Sequence, residues 1–376
     1  MAMTPDIDQL LSQLADYPDD DKLLAIIALY YMEHPDGDKD LEYFERAYQV
    51  NPSIENTHNL AFWLHHEYGE PERGLLLQKQ VMKRQPQSYL PYISYAQMLL
   101  AQNYNEDGVF TLRDAEHHEE VISTYQLALD KIDNIAPNYR QSHLNKRVFF
   151  YKNMACAYAM IDNFEQAFTY FERAQTLISE LLTGDFSSIP AAILEEKYYE
   201  ILLDKARLYI LLGDDSKALT LLNEARYHGD CCNLTVASLY SRLGRYSLAT
   251  QLTENEAVHE SWDWVWYAVY ESDRDKWRKI MSETLQNAQQ CLVESQLEAE
   301  QYRIENKQQL LKEKLNFIDQ QQAKISRLEM VLAADNHPKP QDDIKQEIRS
   351  MYFGCLLFGC ERHRGLIDDS NLYYWH

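Results

Sequence analysis

The chain is short of turn-forming residues. Its 376 residues hold 11 glycines and 11 prolines, about half the usual share of each. Sheets, barrels and phosphate-binding loops draw heavily on both, so long helices with short connections are the expectation. No two glycines stand closer than five residues apart, which excludes GxGxxG and GxSxG signatures. Gly69 and Gly74 have the outer spacing of a phosphate loop, but Leu75 and Leu76 follow where Lys and Ser or Thr are required. Cysteine is scarce and scattered, at Cys156, Cys231, Cys232, Cys291, Cys355 and Cys360. That usage fits a reducing compartment, and a cytoplasmic location is expected. Positive charge is in deficit: 36 Lys and Arg face 59 Asp and Glu, a net charge of −23. Nucleic acid and anionic membrane both reward cations, so neither is an expected partner, whereas a basic protein suits the balance. Long apolar runs are missing too. The longest, Leu23 to Met32, is too short to span a bilayer, and the acidic opening lacks the basic start of a signal peptide.

The residues that usually carry chemistry fall short of a site. His117, His118, Glu119 and Glu120 look like a metal cluster, but no second His follows four residues on, as a helical zinc pair requires. Cys355, Cys360 and His363 have no second ligand pair nearby and read as buried thiols with a neighbouring His. His58 and His65 fall on the inward face of a helix and read as core histidines. No catalytic constellation emerges, so neither an enzyme nor a cofactor site is expected.

What the chain does have is internal repetition. Pro52 and Pro86 lie 34 residues apart, and each closes a segment with two amphipathic halves separated by a polar break. The clearest copy spans 148–181: Tyr151, Met154, Ala155 and Tyr158 form one stripe, and Phe164, Ala167, Phe171 and Ala174 form the next. Steps of three and four place each set on one helical face. Further copies carry Tyr92, Tyr95, Ala96 and Leu99; Ala206, Tyr209, Gly213 and Ala218; and Ala237, Tyr240, Gly244 and Ala249. About six helical hairpins are expected across 21–255, one delayed by an insertion near 103–116.

The pattern resembles the tetratricopeptide repeat family. Family members place a small residue where paired helices cross, here Ala28, Ala96, Ala155, Ala206 and Ala237. A second small residue opens the partner helix, here Ala167, Ala218 and Ala249. Asp40 and Gly74 hold that second place in the first two copies, and Phe62 holds the first place in one of them. The resemblance implies an all-α fold, a right-handed superhelix of stacked hairpins. Residues 1–20 read as an acidic helical cap and 256–276 as an aromatic capping segment built on Trp262, Trp264, Trp266, Tyr267 and Tyr270.

Beyond that, 277–334 reads as one long helix of roughly 80 Å. Leu297, Ile304, Leu311, Ile318, Ile325 and Leu332 recur at every seventh place along it, a heptad seam whose companion row is mostly Gln. Its covers are the repeats, a second molecule through self-association, or the C-terminal segment. The prolines at 338 and 340, in the linker that opens 335–376, make that segment the nearest candidate. A short helix over Ile344 to Cys360 and an aromatic end, Tyr373 to Trp375, complete the chain.

The resemblance also implies a function. The family's concave groove, lined by the first helix of each hairpin, holds a peptide or a partner's extended segment. Carried onto this chain, the groove candidates are Asn56, Asn59, Trp63, His66, Gln97, Lys152 and Arg207. Ala25 and Leu29 stand where the family's clamp for a C-terminal carboxylate carries Lys and Asn. The expectation is therefore a non-catalytic adaptor, co-chaperone or regulator that binds a protein or peptide. The alternatives are an acidic inhibitor or immunity protein that occludes a basic toxin or nuclease, and a peptide-sensing regulator.

Overall fold

The computed structural model describes residues 6–85, 87–101, 115–133, 140–184, 191–226, 233–252, 263–305, 307–341, 344–348 and 357–358. Most of the insertion near 103–116 lies outside these, as do Cys231, Cys232, Trp262, Cys355, Cys360, His363 and the aromatic end. The described residues form sixteen α-helices and a 3₁₀ turn, and among them there is no strand. They fall into two compact units, one running to Leu208 and resumed from Ile344, the other Tyr209–Asp343.

In the first unit α1 (Ile7–Asp16) leads into hairpins α2 (Asp21–Glu33) with α3 (Lys39–Val50), and α4 (Ile54–His66) with α5 (Pro71–Arg84). Then come α6 (Leu90–Ala101) with α7 (Ala115–Asp133), α8 (Arg140–Met160) with α9 (Phe164–Thr183), and most of α10 (Ala191–Leu211). Each helix packs on the next from α1 to α9, and α4 also touches α6, as first helices of successive hairpins do in a stack. The polar breaks become capped turns. Asp20 accepts from the N–H groups of Lys22 and Leu23 at the start of α2, and Ser53 does the same for Asn56 in α4. Such caps satisfy donors that have no partner inside the helix. The turn after α8 passes through Asp162 at φ 61°, and Asn163 N–H reaches back to Tyr158 C=O. That is the left-handed closure that glycine usually supplies.

The small residues sit where the helices cross. Ala28, Ala96, Ala155, Ala167 and Ala206 are fully buried, and Phe44, Tyr125 and Phe171 fill the gaps beside them. Gly74 is the closest approach: a Cβ there would stand 2.6 Å from Ala61 O and 2.9 Å from His65 Cβ. Asp40 keeps its small place as a buried carboxylate, accepting from Trp63 Nε1–H at 3.2 Å and from the Tyr68 hydroxyl.

The second unit contains the end of α10 and α11 (Asp215–Arg226), then the hairpin α12 (Asn233–Arg242) with α13 (Tyr246–Leu252). Helix α14 (Asp263–Ser272) packs on both helices of that hairpin, and its Trp264, Val265, Trp266, Ala268, Val269 and Tyr270 are buried.

The reading of 277–334 as one helix needs correction. Two helices form, α15 (Arg274–Ile304) and α16 (Gln308–Ala334), folded back on each other. Ion pairs and hydrogen bonds mark the antiparallel register, from Lys314–Glu298 at 2.6 Å through Gln289–Glu329 to Arg278–Asp335 at 2.6 Å. The turn passes through Glu305 and Lys307, whose N–H groups bond back to Gln301 and Tyr302. The heptad row divides accordingly. Ile318 is buried, whereas Leu297 is 68% exposed and Ile304 78% exposed. In α15 the buried residues are instead Trp277, Met281, Ala288, Ser295 and Ala299, and the last three are small enough to let two backbones approach. Ile318 is thus covered within the hairpin, while Leu297 and Ile304 stand open to solvent. The C-terminal segment, the nearest candidate from sequence, belongs to the first unit, and its helix is described only as a 3₁₀ turn over Ile344–Glu347.

Candidate functional site

Lining up the first helices of the hairpins brings the inward faces of α2, α4, α8 and α10 into contact with one further stretch of chain. Residues 344–348 and 357–358 lie against them. Ile344, Ile348 and Leu357 are buried to 1% exposure or less. Ile348 joins the core that contains Phe150, Met154 and Ile201. Leu357 packs on Phe62, with Leu29, Met32 and Trp63 around them.

Asn59 makes the most informative contact. Its amide donates to Phe358 C=O at 3.1 Å, and its Oδ1 accepts from Phe358 N–H at 2.8 Å. One side chain thereby satisfies both main-chain groups of one residue, without reading that residue's side chain. The Phe358 ring meets His58 edge-on at 5.3 Å, and His58 is fixed from behind by Gln78 at 3.0 Å.

At the other end the contacts are ionic. Arg207 Nε lies 3.5 Å from Glu347 Oε2, while its Nη1 holds Asp204 at 2.8 Å. Lys152, 4% exposed, reaches Glu200 at 2.9 Å and Asp204 at 3.5 Å. Burial opposes the Lys152 charge, but Asp204 and Glu200 outweigh it and hold the ammonium above the ordinary lysine value. Burial dominates at Asp204 and pushes its carboxyl above the usual range, although Lys152 and Arg207 pull the other way. Lys345 adds a pair to Asp162 at 2.6 Å, in the turn after α8.

The residues expected to line a groove therefore have different surroundings. Asn59 and Arg207 touch the same C-terminal segment. Lys152 stands beside Arg207 through their shared Asp204. Trp63 borders the Leu357 pocket while Asp40 holds its indole. The His66 ring lies tilted against Phe62 at 4.2 Å and edge-on to His65 at 4.8 Å. Asn56 works within the scaffold, donating to Asp21, Ala47 C=O and Asn51 C=O at the base of α2, α3 and α4. Gln97 is buried on α6. Sequence reasoning missed Asp204, Glu347, Leu357 and Phe358. The spacing of Asp204 to Arg207 was a readable i,i+3 signal; nothing in the order of residues announces that Phe358 returns to Asn59.

No protein-family model and no curated protein matches the chain. Among solved structures, yeast Tom70 is similar with a TM-score of 0.43 and 15% identity, covering 87% of this chain and 60% of that one. A structure of Naa15/Naa10 bound to HypK-THB gives 0.24 and 18%, covering 71% and 42%. This chain thus spans less than two thirds of either neighbour. At those scores neither likeness carries weight, and the assignment stands on the paired helices, the buried alanines at their crossings and the capped turns. On that ground the chain is an all-α helical repeat protein whose paired helices resemble tetratricopeptide hairpins.

Proposed function

We propose that this chain is a non-catalytic interaction protein that holds an extended segment of another protein along the first helices of its hairpins. One observation carries the reading: Asn59 pairs with both main-chain groups of Phe358. A two-way amide contact of that kind recognises peptide backbone in general, and the adjoining pocket of Phe62, Leu29 and Met32 supplies the side-chain preference. An acidic partner residue suits Arg207 better than the basic partner that the net charge alone favoured. The ordinary globular role of these contacts is packing, which is why the test must read binding. Capture from the native host with the wild-type chain and with Asn59→Ala, Arg207→Glu should recover a partner with the first and lose it with the second. Equal recovery by two equally folded chains would remove the groove from the account.

A further inference from the structure

We propose that the second unit binds a small carboxylic acid with a compact apolar body, in a cavity between α14, α15 and α16. The cavity measures about 150 Å³, and a space of that order accepts a molecule the size of benzene. Its floor is apolar. Trp266 of α14, Met281 of α15 and Val331 of α16 line it and are all buried, with the half-buried Leu328 beside them. Its rim is cationic. Lys324 and Arg327 stand three residues apart on one face of α16, the first half-buried and the second exposed. Thr284 and the buried His337 complete the wall. Trp277 meets the His337 ring at 5.9 Å and Tyr270 at 6.4 Å, so that side of the cavity is held in place before any ligand arrives.

The sign of the rim runs against the rest of the molecule. The chain has 59 acidic residues to 36 basic ones, yet among the described residues no carboxylate lines this cavity. The two halves of the site sort its ligands. The floor rewards an apolar body, which inorganic phosphate lacks. The rim rewards a negative end, which accepts from the Arg327 fork and the Lys324 ammonium. Burial holds Lys324 below the ordinary lysine value, and an anion alongside reverses that effect, so binding recovers a cost that the folded chain already bears. A peptide segment fits less well. Its main chain needs amide partners, and among the described residues no Asn or Gln lines the cavity. The site shares no residue with the groove of the first unit, so either reading can fail without the other.

Titration calorimetry on the full-length chain tests the site with phenylacetate, its neutral amide phenylacetamide, acetate and inorganic phosphate. Phenylacetate should bind about tenfold or more tightly than each of the others, which lack either the charge or the apolar body. Lys324→Gln with Arg327→Gln changes only the solvent edge, so the fold should persist while phenylacetate weakens about tenfold or more. A second measurement needs no loss of binding. The Met281 methyl NMR signal, assigned through Met281→Leu, should shift when phenylacetate is added to wild type, whereas that of Met330, 67% exposed, should stay. Absence of phenylacetate binding at millimolar concentration, equal binding of another compound or equal affinity in the double variant would each overturn the site. So would binding that leaves the Met281 signal unmoved.

Discussion

At the scale of single residues, Gly74 and His65 face each other across one helix crossing and lead to two separate tests. Alanine is the better helix former by about 1 kcal/mol, so Gly74→Ala would stabilise an open helix. Here the new Cβ would meet Ala61 O at 2.6 Å, and a backbone oxygen cannot swing aside. The clash should win and cost roughly 1–3 kcal/mol, read as a lowered urea midpoint; a raised midpoint would misplace the crossing. His65 titrates in the opposite sense from a paired histidine. Burial pushes it down to about 4, and His66, also desolvated and beside His65, down to about 3. The unfolded chain takes up these protons near the ordinary value of 6.5, and the folded chain refuses them. Stability is therefore intact above pH 6.5 and falls as pH drops towards 4, at about 1.4 kcal/mol per unit for His65. Between pH 6.5 and 5 the wild-type urea midpoint should decline, and His65→Gln should flatten part of that slope. Parallel slopes would mean the ring is solvated.

At the scale of elements, legibility follows the size of the residue that makes each contact. The hairpins were readable because alanines twelve apart, such as Ala155 with Ala167 and Ala237 with Ala249, mark both sides of a crossing, and the structure buries all four. The α15–α16 hairpin was hidden for two reasons. Its turn at Glu305 and Lys307 contains neither Gly nor Pro, and the heptad row happens to keep its phase across the turn. The buried residues of α15 are Trp277, Met281, Ala288, Ser295 and Ala299, and a search for large apolar residues passes over the last three. The two rows differ in a measurable way. Ile318→Asp, at 7% exposure, places a carboxylate in the seam and should cost about 2 kcal/mol or more. Leu297→Asp, on the open face, should stay within about 0.5 kcal/mol of wild type. Thermal unfolding of both variants decides it, and equal losses would restore a buried Leu297. The candidate site was legible only in half. Asn59 and Arg207 can be placed from the repeat phase, whereas their partners Phe358 and Glu347 lie 299 and 140 residues away.

At the scale of the whole molecule the deciding quantity is charge. A net −23 over 376 residues means that the folded surface repels itself, and compaction brings those charges closer together. Local ion pairs work against this, among them Lys314–Glu298 and Arg278–Asp335. Exposed pairs contribute about 0–1 kcal/mol each, and salt weakens them as well. Which effect dominates is set by reach. Paired charges lie within 4 Å, where screening acts least, while unpaired carboxylates interact over distances comparable with the Debye length of about 10 Å at 0.1 M salt. Added sodium chloride should therefore relieve the repulsion more than it loosens the pairs. The melting temperature should rise between about 20 and 300 mM salt, a range over which the Debye length shrinks several-fold. Potassium chloride should match sodium chloride, since the effect is screening and not a bound ion. A melting temperature that falls with salt would show that the local pairs, including Lys152 with Glu200 and Asp204, outweigh the net charge.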